Sequence, residues 1–416
     1  MNADLALVVN AGSSSIKLSL YKVGFSYKFC DESRENRAFL SEFNLLKSAL
    51  IELSDCEPEQ ALQEFLAERT EDVWLSAHRM VHPGPQIKTP CIIDSQIRSY
   101  IARQDWRAPK HNPLSISWIT ACEKMLRKSA FNTLHSDTEF FNELPLVAKS
   151  YALPAALVEK HGLMRVGFHG LAYRSMLSLW QETYHSRESQ GLVQRKQEPS
   201  ERESQENKTS VPDKKIIAIQ LGSGCSICAI KNGVAQDTSM GFSTLEGLMM
   251  STRCGDLDPG ILIFMQKELG YNCEQIERLL NEQSGLLGVS TSHKDMRELL
   301  KQDSVQARLA VDLFCYRVRK YIGAYIAVLG GVDSIIVGGG IGEHSAHIRE
   351  KLFSGWRWSG LVLDSQLNSQ DLVATRFIHH PSSKVKLMVC AVNEADVMLR
   401  QALELVKIPQ LDKEYV

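Results

Sequence analysis

Residues 5–20 read LALVVNAGSSSIKLSL. An apolar run, Leu7-Val8-Val9, meets a small polar turn, Asn10 to Ser15. A second run follows in which Lys17 and Ser19 alternate with Ile16, Leu18 and Leu20. Period-two alternation about a Gly/Ser turn predicts a β-hairpin. Nothing in the turn is bulky. Small residues let backbone N–H groups approach an anion, and hydroxyls and Lys17 add donors. Taken alone, an ordinary hairpin turn reads the same way.

A second copy separates the two readings. Residues 216–230 read IIAIQLGSGCSICAI: an apolar strand, a Gly222-Ser223-Gly224 turn, then another strand. Two such units, one near the start and one past the middle, predict a duplicated architecture.

The chain has 416 residues, enough for two or three domains with substantial cores. It is 44% hydrophobic and 23% charged, as a soluble globular protein is. A net charge of −2 implies no general affinity for nucleic acid or an anionic membrane, so any anion site must be local. The opening MNADLALVV lacks a basic region and a long apolar core, so no signal peptide is expected. The apolar stretch 321–341 carries Asp333 and several glycines and reads as a helix end plus a buried strand, not a membrane span. Ten cysteines show no spacing framework and point to reduced thiols in a cytoplasmic protein. Cys225 and Cys228 form a C-x-x-C without a second pair, and alternation sends their side chains to opposite faces.

Along the chain, residues 41–69 have helical spacing at Phe43, Leu46 and Leu50, and 72–81 read as a strand. A helix is expected over 114–126, a short one over 151–162, and a strand over 164–170. Residues 186–215 are almost wholly polar and predict a disordered surface insertion. Residues 239–260 read as a loop leading into a helix, and 304–329 as a long amphipathic helix with Leu309, Leu313, Phe314, Val318 and Ile322 in its stripe. A buried strand over 334–342 opens into a glycine run, and 385–392 is another strand. Asn393 can cap a last helix over 395–406.

Several predicted strand ends deliver cations into loops: His78-Arg79 with His82, Phe168-His169-Gly170, and Arg253 in a turn. With Lys17, His111 and the glycine turns, these supply donors and positive charge. Phosphoryl transfer requires both, because its charge spreads over the oxygens of the moving group.

The motifs VVNAGSSSIK, HRMVHPG, APKHNP, SDTEFF with YALP, GFHG, DTSMGFSTLEGLMMSTRCGDLDP, SGLLGVS with DMREL, GGGIGEHS and VNEAD together resemble the acetate kinase family of short-chain carboxylate kinases. The likeness runs along essentially the whole chain outside 186–215. It implies an α/β fold of two duplicated actin-like (ribonuclease H-like) domains with a cleft between them. The expected domains are 1–150 with 395–416, and 151–394. It also implies a homodimer, with no nucleic-acid or membrane partner. The implied activity is reversible transfer of the ATP γ-phosphoryl group to acetate, by direct in-line attack with Mg²⁺ or Mn²⁺. A propionate or other short-chain carboxylate kinase, or a degenerate nucleotide- or acyl-phosphate-binding sensor, are the alternatives.

Residue by residue, the resemblance implies catalytic roles for Arg79, Asp137, Arg253, His169 and His111. Asn10, Ser13, Ser15, Lys17, Gly222, Ser223, Gly224, Asp295, Arg297, Gly340 and Ile341 fall at nucleotide- and phosphate-binding positions. Asn10 and Glu394 fall at the metal. Val81, Lys110, Phe168 and Thr244 fall at the carboxylate pocket. The chain departs from the family pattern at several places. Lys110 replaces a usual leucine, Thr244 a proline, Gln220 a histidine and Ser223 an asparagine. Leu171-Ala172-Tyr173 stands for Thr-Ser-His, His344 for an asparagine and Pro83 for a glycine. Thr244 makes the pocket more polar, and Lys110 either meets an anionic substrate or turns to solvent.

Overall fold

The structure is a computed structural model. It describes residues 5–12, 15–30, 35–52, 57–109, 111–189, 214–371 and 374–406. These form two compact units: Met1–Asn142 with Asn393–Val416, and Glu143–Val392.

The first unit is built on a six-stranded sheet of β1 (Leu5–Ala11), β2 (Ser15–Cys30), β3 (Glu35–Glu52), β4 (Val73–Met80), β5 (Cys91–Ile92) and β6 (Phe131–Ser136). Their order is β3-β2-β1-β4-β6-β5. β1 pairs antiparallel with β2 and parallel with β4, so it lies inside the sheet and is buried on both faces. That position explains its unbroken apolar run. Leu7, Val9, Ile16 and Leu18 share one face and pack with Leu62, Phe65, Trp118 and Cys122 of two helices, Pro58–Leu66 and Asn112–Met125. The Glu394–Leu405 helix packs against β1 and β4. Asn393 caps it by accepting from the Asp396 N–H at 3.3 Å.

The second unit repeats the plan with β7 (Lys215–Leu221), β8 (Cys225–Lys231), β9 (Val234–Thr238), β10 (Ser334–Gly338), β11 (Arg376–Phe377) and β12 (Lys386–Val389). Their order is β11-β12-β10-β7-β8-β9. Read from the other edge, each strand corresponds to one in the first sheet. Each antiparallel pair and each parallel pair recurs as well. The molecule is thus two duplicated α/β units of the actin-like kind. The Val305–Leu329 helix lies on β7–β9, capped at its start by Ser304 and ended by Gly330 in the left-handed conformation.

Five local expectations are corrected. Residues 41–52 belong to β3, not a helix; pairing with β2 along its length overrides the helical spacing, and Leu45, Leu46 and Leu50 are exposed. Only the Pro58–Leu66 segment of the expected helix is α-helical. Residues 164–170 form no strand beyond a single bridge at Met164, because Gly167 and His169 take positive φ of 73° and 63°. β10 ends at Gly338 and Gly339–His344 is helical. Leu309 lies outside the buried stripe of its helix, at 56% exposure. The expected insertion is also narrower at its edges: residues 186–189 finish the Gly170–Ser189 helix, and Lys215 begins β7. Residues 190–213 lie outside the described residues. No described helix is long and apolar enough to cross a membrane.

Candidate functional site

In the first unit the parallel strands β4 and β6 end side by side, with Arg79 in register with His135 and Met80 with Ser136. Asp137 follows directly and is 1% exposed. Arg79 donates to it twice, Nε to Oδ1 at 3.0 Å and Nη2 to Oδ2 at 2.6 Å. Arg79 Nη1 also donates to Asn10 Oδ1 at 2.9 Å, near the end of β1. Asn10 Nδ2 donates to Glu394 Oε2 at 2.7 Å, and that oxygen lies 3.7 Å from Arg79 Nη1. Burial opposes the guanidinium charge, but Asp137 and Glu394 outweigh it and raise the Arg79 pKa. Four chain-distant residues thus share one charge-assisted network.

Not every expected cation beside Arg79 is one. Burial drives His78 and His82 down to about 4, so both are neutral near pH 7. Asn112, at the start of its helix, donates to the carbonyls of His82 and Gln104 at 2.9 and 2.7 Å. It fastens the HPG turn to the RAPKHNP loop, a role sequence reasoning missed because the asparagine reads only as part of a turn. His111 occupies the N-cap position of the same helix. Val81 is buried, while Lys17 is exposed on β2 opposite Asn10. Ser15 pairs with Gly12 across the first turn at 3.0 Å. Ser13 and Lys110 lie outside the described residues.

In the second unit, the 222–224 turn joins β7 to β8 and is closed by Gly222 N–H donating to the Gly224 carbonyl at 3.1 Å. A Cβ on Gly224 would stand 3.4 Å from His169 Cε1 and Nε2, and 3.9 Å from Arg253 Nη1. The turn, the imidazole and the guanidinium therefore meet. The Ser251 N–H donates to the Ser223 carbonyl at 3.2 Å, tying the loop that carries Arg253 to this turn. The loop is braced elsewhere by Asp256, which accepts from Gly247 N–H and Tyr321 Oη at 2.9 and 2.8 Å. Glu246 pairs with Arg165 and Tyr151, both at 2.5 Å.

Arg253 differs from Arg79 in its partners. It donates to the Thr244 carbonyl at 3.3 Å and approaches Met250 Sδ at 3.7 Å, and no described carboxylate pairs with it. Burial lowers its pKa, with only the Cys225 thiol acting the other way. A largely desolvated guanidinium lacking an anion is costly unless a ligand supplies one. Phe168 is buried beside His169 in sequence.

The remaining positions expected at the nucleotide sort by space and pairing. Cβ atoms on Gly338 and Gly339 would collide with Val392 and Leu221 at 2.6 Å, but one on Gly340 would meet nothing within 4 Å. Ile341, the next residue of that helix, is half-buried. Asp295 caps the Met296–Leu300 helix and holds Arg297 through two bonds of 3.1 and 2.6 Å; the Arg297 hydrogen bonds bring Asp295 down to about 2. Cys225 and Cys228 are buried; burial pushes the first up to about 12 and the second well above its ordinary value, which suits structural thiols.

Among the described residues no group of three or more His, Cys, Asp or Glu is gathered as a metal cage. Asp137 is committed to Arg79 through both oxygens, whereas Glu394 Oε1 takes no hydrogen bond from a described residue. One carboxylate oxygen beside an amide suits a hard divalent cation that keeps its waters and binds substrate phosphates.

Removing the anion of Arg79 and removing Arg253 itself should act differently on stability. Asp137→Ala strips Arg79 of its main anion and should cost about 3–5 kcal/mol. Arg253→Ala removes an uncompensated charge and should leave the melting temperature unchanged or raised. Thermal unfolding of the variants checks this, and a comparable drop for both would contradict it.

Residues 5–190 and 197–400 match the family model described as the Acetokinase family. The acetate kinase of Chloroherpeton thalassium is 33% identical over 432 residues, spanning 95% of this chain and 97% of that protein. The crystal structure of Porphyromonas gingivalis acetate kinase superposes with a TM-score of 0.77 at 30% identity, covering 97% of this chain and 100% of the other. That of a propionate kinase from Francisella tularensis gives a TM-score of 0.77 at 27% identity, covering 97% and 100%. A duplicated α/β fold, a half-buried arginine without a described anion, and likeness along nearly the whole chain agree: it belongs to the acetokinase family of carboxylate kinases.

Proposed function

We propose that this protein transfers the γ-phosphoryl group of ATP to acetate, reversibly, giving acetyl phosphate and ADP. The observation that carries the reading is Arg253, half-buried and without a described anionic partner, beside His169 and the 222–224 turn. A carboxylate substrate has an ordinary pKa of about 4 and is already ionised near neutral pH. No general base is needed. What is needed is relief of repulsion between two anions, and guanidinium groups with a divalent cation provide it.

In this reading Arg79 and Arg253 serve one reaction. Asp137 aims Arg79 through the bidentate pair, and His169 and Arg253 donate to the moving phosphoryl group. His111 is assigned to the same group. Glu394, with Asn10 beside it, would hold Mg²⁺ or Mn²⁺, which supplies charge neutralisation on the phosphates when bound. The open space at Gly340 supports a nucleoside over pyrophosphate, with Ile341, Asp295 and Arg297 alongside. Ser15, Lys17, Gly222, Ser223 and Gly224 are assigned to the phosphates. Val81, Phe168 and Thr244 are assigned to the acyl group. Direct in-line attack by the carboxylate oxygen requires no covalent enzyme intermediate.

Propionate is the second reading. It is favoured by the equal TM-scores of 0.77 to the acetate and propionate kinases. We also propose a homodimer. The Pro259–Lys267 helix has no buried residue although Ile261, Ile263 and Phe264 lie on it, and Leu257 and Leu269 beside it are exposed too. A continuous apolar patch of this kind suits a second copy.

A hydroxamate assay over formate, acetate, propionate and butyrate, first with ATP and then with pyrophosphate, tests the chemistry. The expected result is turnover of acetate or propionate with ATP, lowered on the order of 10²–10³-fold by Arg253→Ala. Turnover with none of the acids overturns the kinase reading in favour of a sensor. Sedimentation velocity should show a dimer that Phe264→Glu dissociates; a monomeric unmodified protein would contradict the interface.

A further inference from the structure

His169 stands at φ 63°, in the left-handed region that a residue with a side chain enters at a cost of roughly 1–2 kcal/mol. What the strain secures is the direction of the ring. Nδ1 lies 2.8 Å from Ser226 Oγ on β8, and Ser226 is fully buried. The same Oγ lies 2.5 Å from the phenol oxygen of Tyr173, also fully buried. Tyr173 sits one turn along the Gly170–Ser189 helix, its N–H donating to the His169 carbonyl at 3.1 Å. Phenol, alcohol and imidazole form a chain.

The chain has a favoured direction. A phenol is a far stronger acid than an aliphatic alcohol, and the alcohol oxygen is the better acceptor. Tyr173 therefore donates to Ser226, and Ser226 donates to His169 Nδ1. A neutral imidazole that accepts at Nδ1 carries its proton at Nε2. The Cε1–Nε2 edge is the one turned to the 222–224 turn, close to the Arg253 guanidinium. Burial keeps Tyr173 a protonated phenol at any working pH, raising its pKa well above the ordinary value.

We propose that Tyr173 and Ser226 are positioning residues that hold His169 in its Nε2–H form, so that Nε2 donates to the transferring phosphoryl group beside Arg253. The role in turnover rests on the carboxylate kinase reading; the tautomer does not. Where the family pattern has a histidine, this chain uses a phenol, which donates without bringing a second titrating imidazole into the chain.

The test is a long-range proton–nitrogen NMR spectrum of histidine-labelled protein, with the His169 signals identified by their loss in His169→Asn. The expected pattern is Nε2–H in the unmodified protein and a mixture of tautomers in Tyr173→Phe and Ser226→Ala. In kinetics, Tyr173→Phe should lower kcat about tenfold with KM within about twofold, and Tyr173→His should recover part of the loss. An Nδ1–H pattern in the unmodified protein overturns the proposal. So does a Tyr173→Phe variant with unchanged tautomer and unchanged kcat. A protein that phosphorylates no carboxylate yet shows the Nε2–H pattern, disturbed in Tyr173→Phe, removes the kinase reading while the relay stands.

Discussion

A guanidinium taken out of water needs an anion or a full set of acceptors, and Arg79 and Arg253 meet that demand differently. Arg79 receives its anions from the fold. Asp137 grips it with both oxygens, and Glu394 stands behind Asn10. The result is a fixed, oriented cation that cannot collapse onto a stray carboxylate. Among the described residues Arg253 receives only a carbonyl and a sulfur. That deficit is one an anionic ligand would relieve. A site that stabilises developing negative charge with preorganised donors has this character.

The duplicated sheets supply the framework for both. In each unit a hairpin of small residues sits next to a parallel strand, β1 with β4 and β7 with β10. The end of each parallel strand leads into a polar segment: Arg79 in one case, the 338–342 glycine run in the other. The repeated plan has diverged in use. The first unit gathers carboxylates around an arginine, while the glycine run of the second leaves one position open. Gly340 is open, whereas Gly338 and Gly339 are needed for close packing against Val392 and Leu221.

Much of this was legible in the residues. The hairpins at 5–20 and 216–230 announce themselves through alternation and small turns, and both form as expected. The 304–329 helix is legible through its stripe, its serine cap and its terminal glycine. What stayed hidden has physical reasons. Phe43, Leu46 and Leu50 have helical spacing, yet they lie in β3, where pairing with β2 decides the conformation. The strand expected at 164–170 fails because Gly167 and His169 take positive φ, which no apolar pattern encodes. His78 and His82 read as cations but are buried and neutral. The Arg79–Asp137 pair joins positions 58 apart in sequence, and Asn10 to Glu394 joins positions 384 apart. Spacing carries no trace of either. Ser226 was overlooked for a similar reason, since a serine two residues past a glycine turn has no signature until Tyr173 and His169 are seen on its hydroxyl.

We propose that Arg79 and Arg253 act on one transferring phosphoryl group. A double-mutant cycle on kcat/KM with Arg79→Ala and Arg253→Ala addresses it most directly. Groups that act as a unit lose little more together than the worse single variant loses alone. The account predicts a double variant within about tenfold of that single. Losses that simply multiply would mean independent roles and would contradict it.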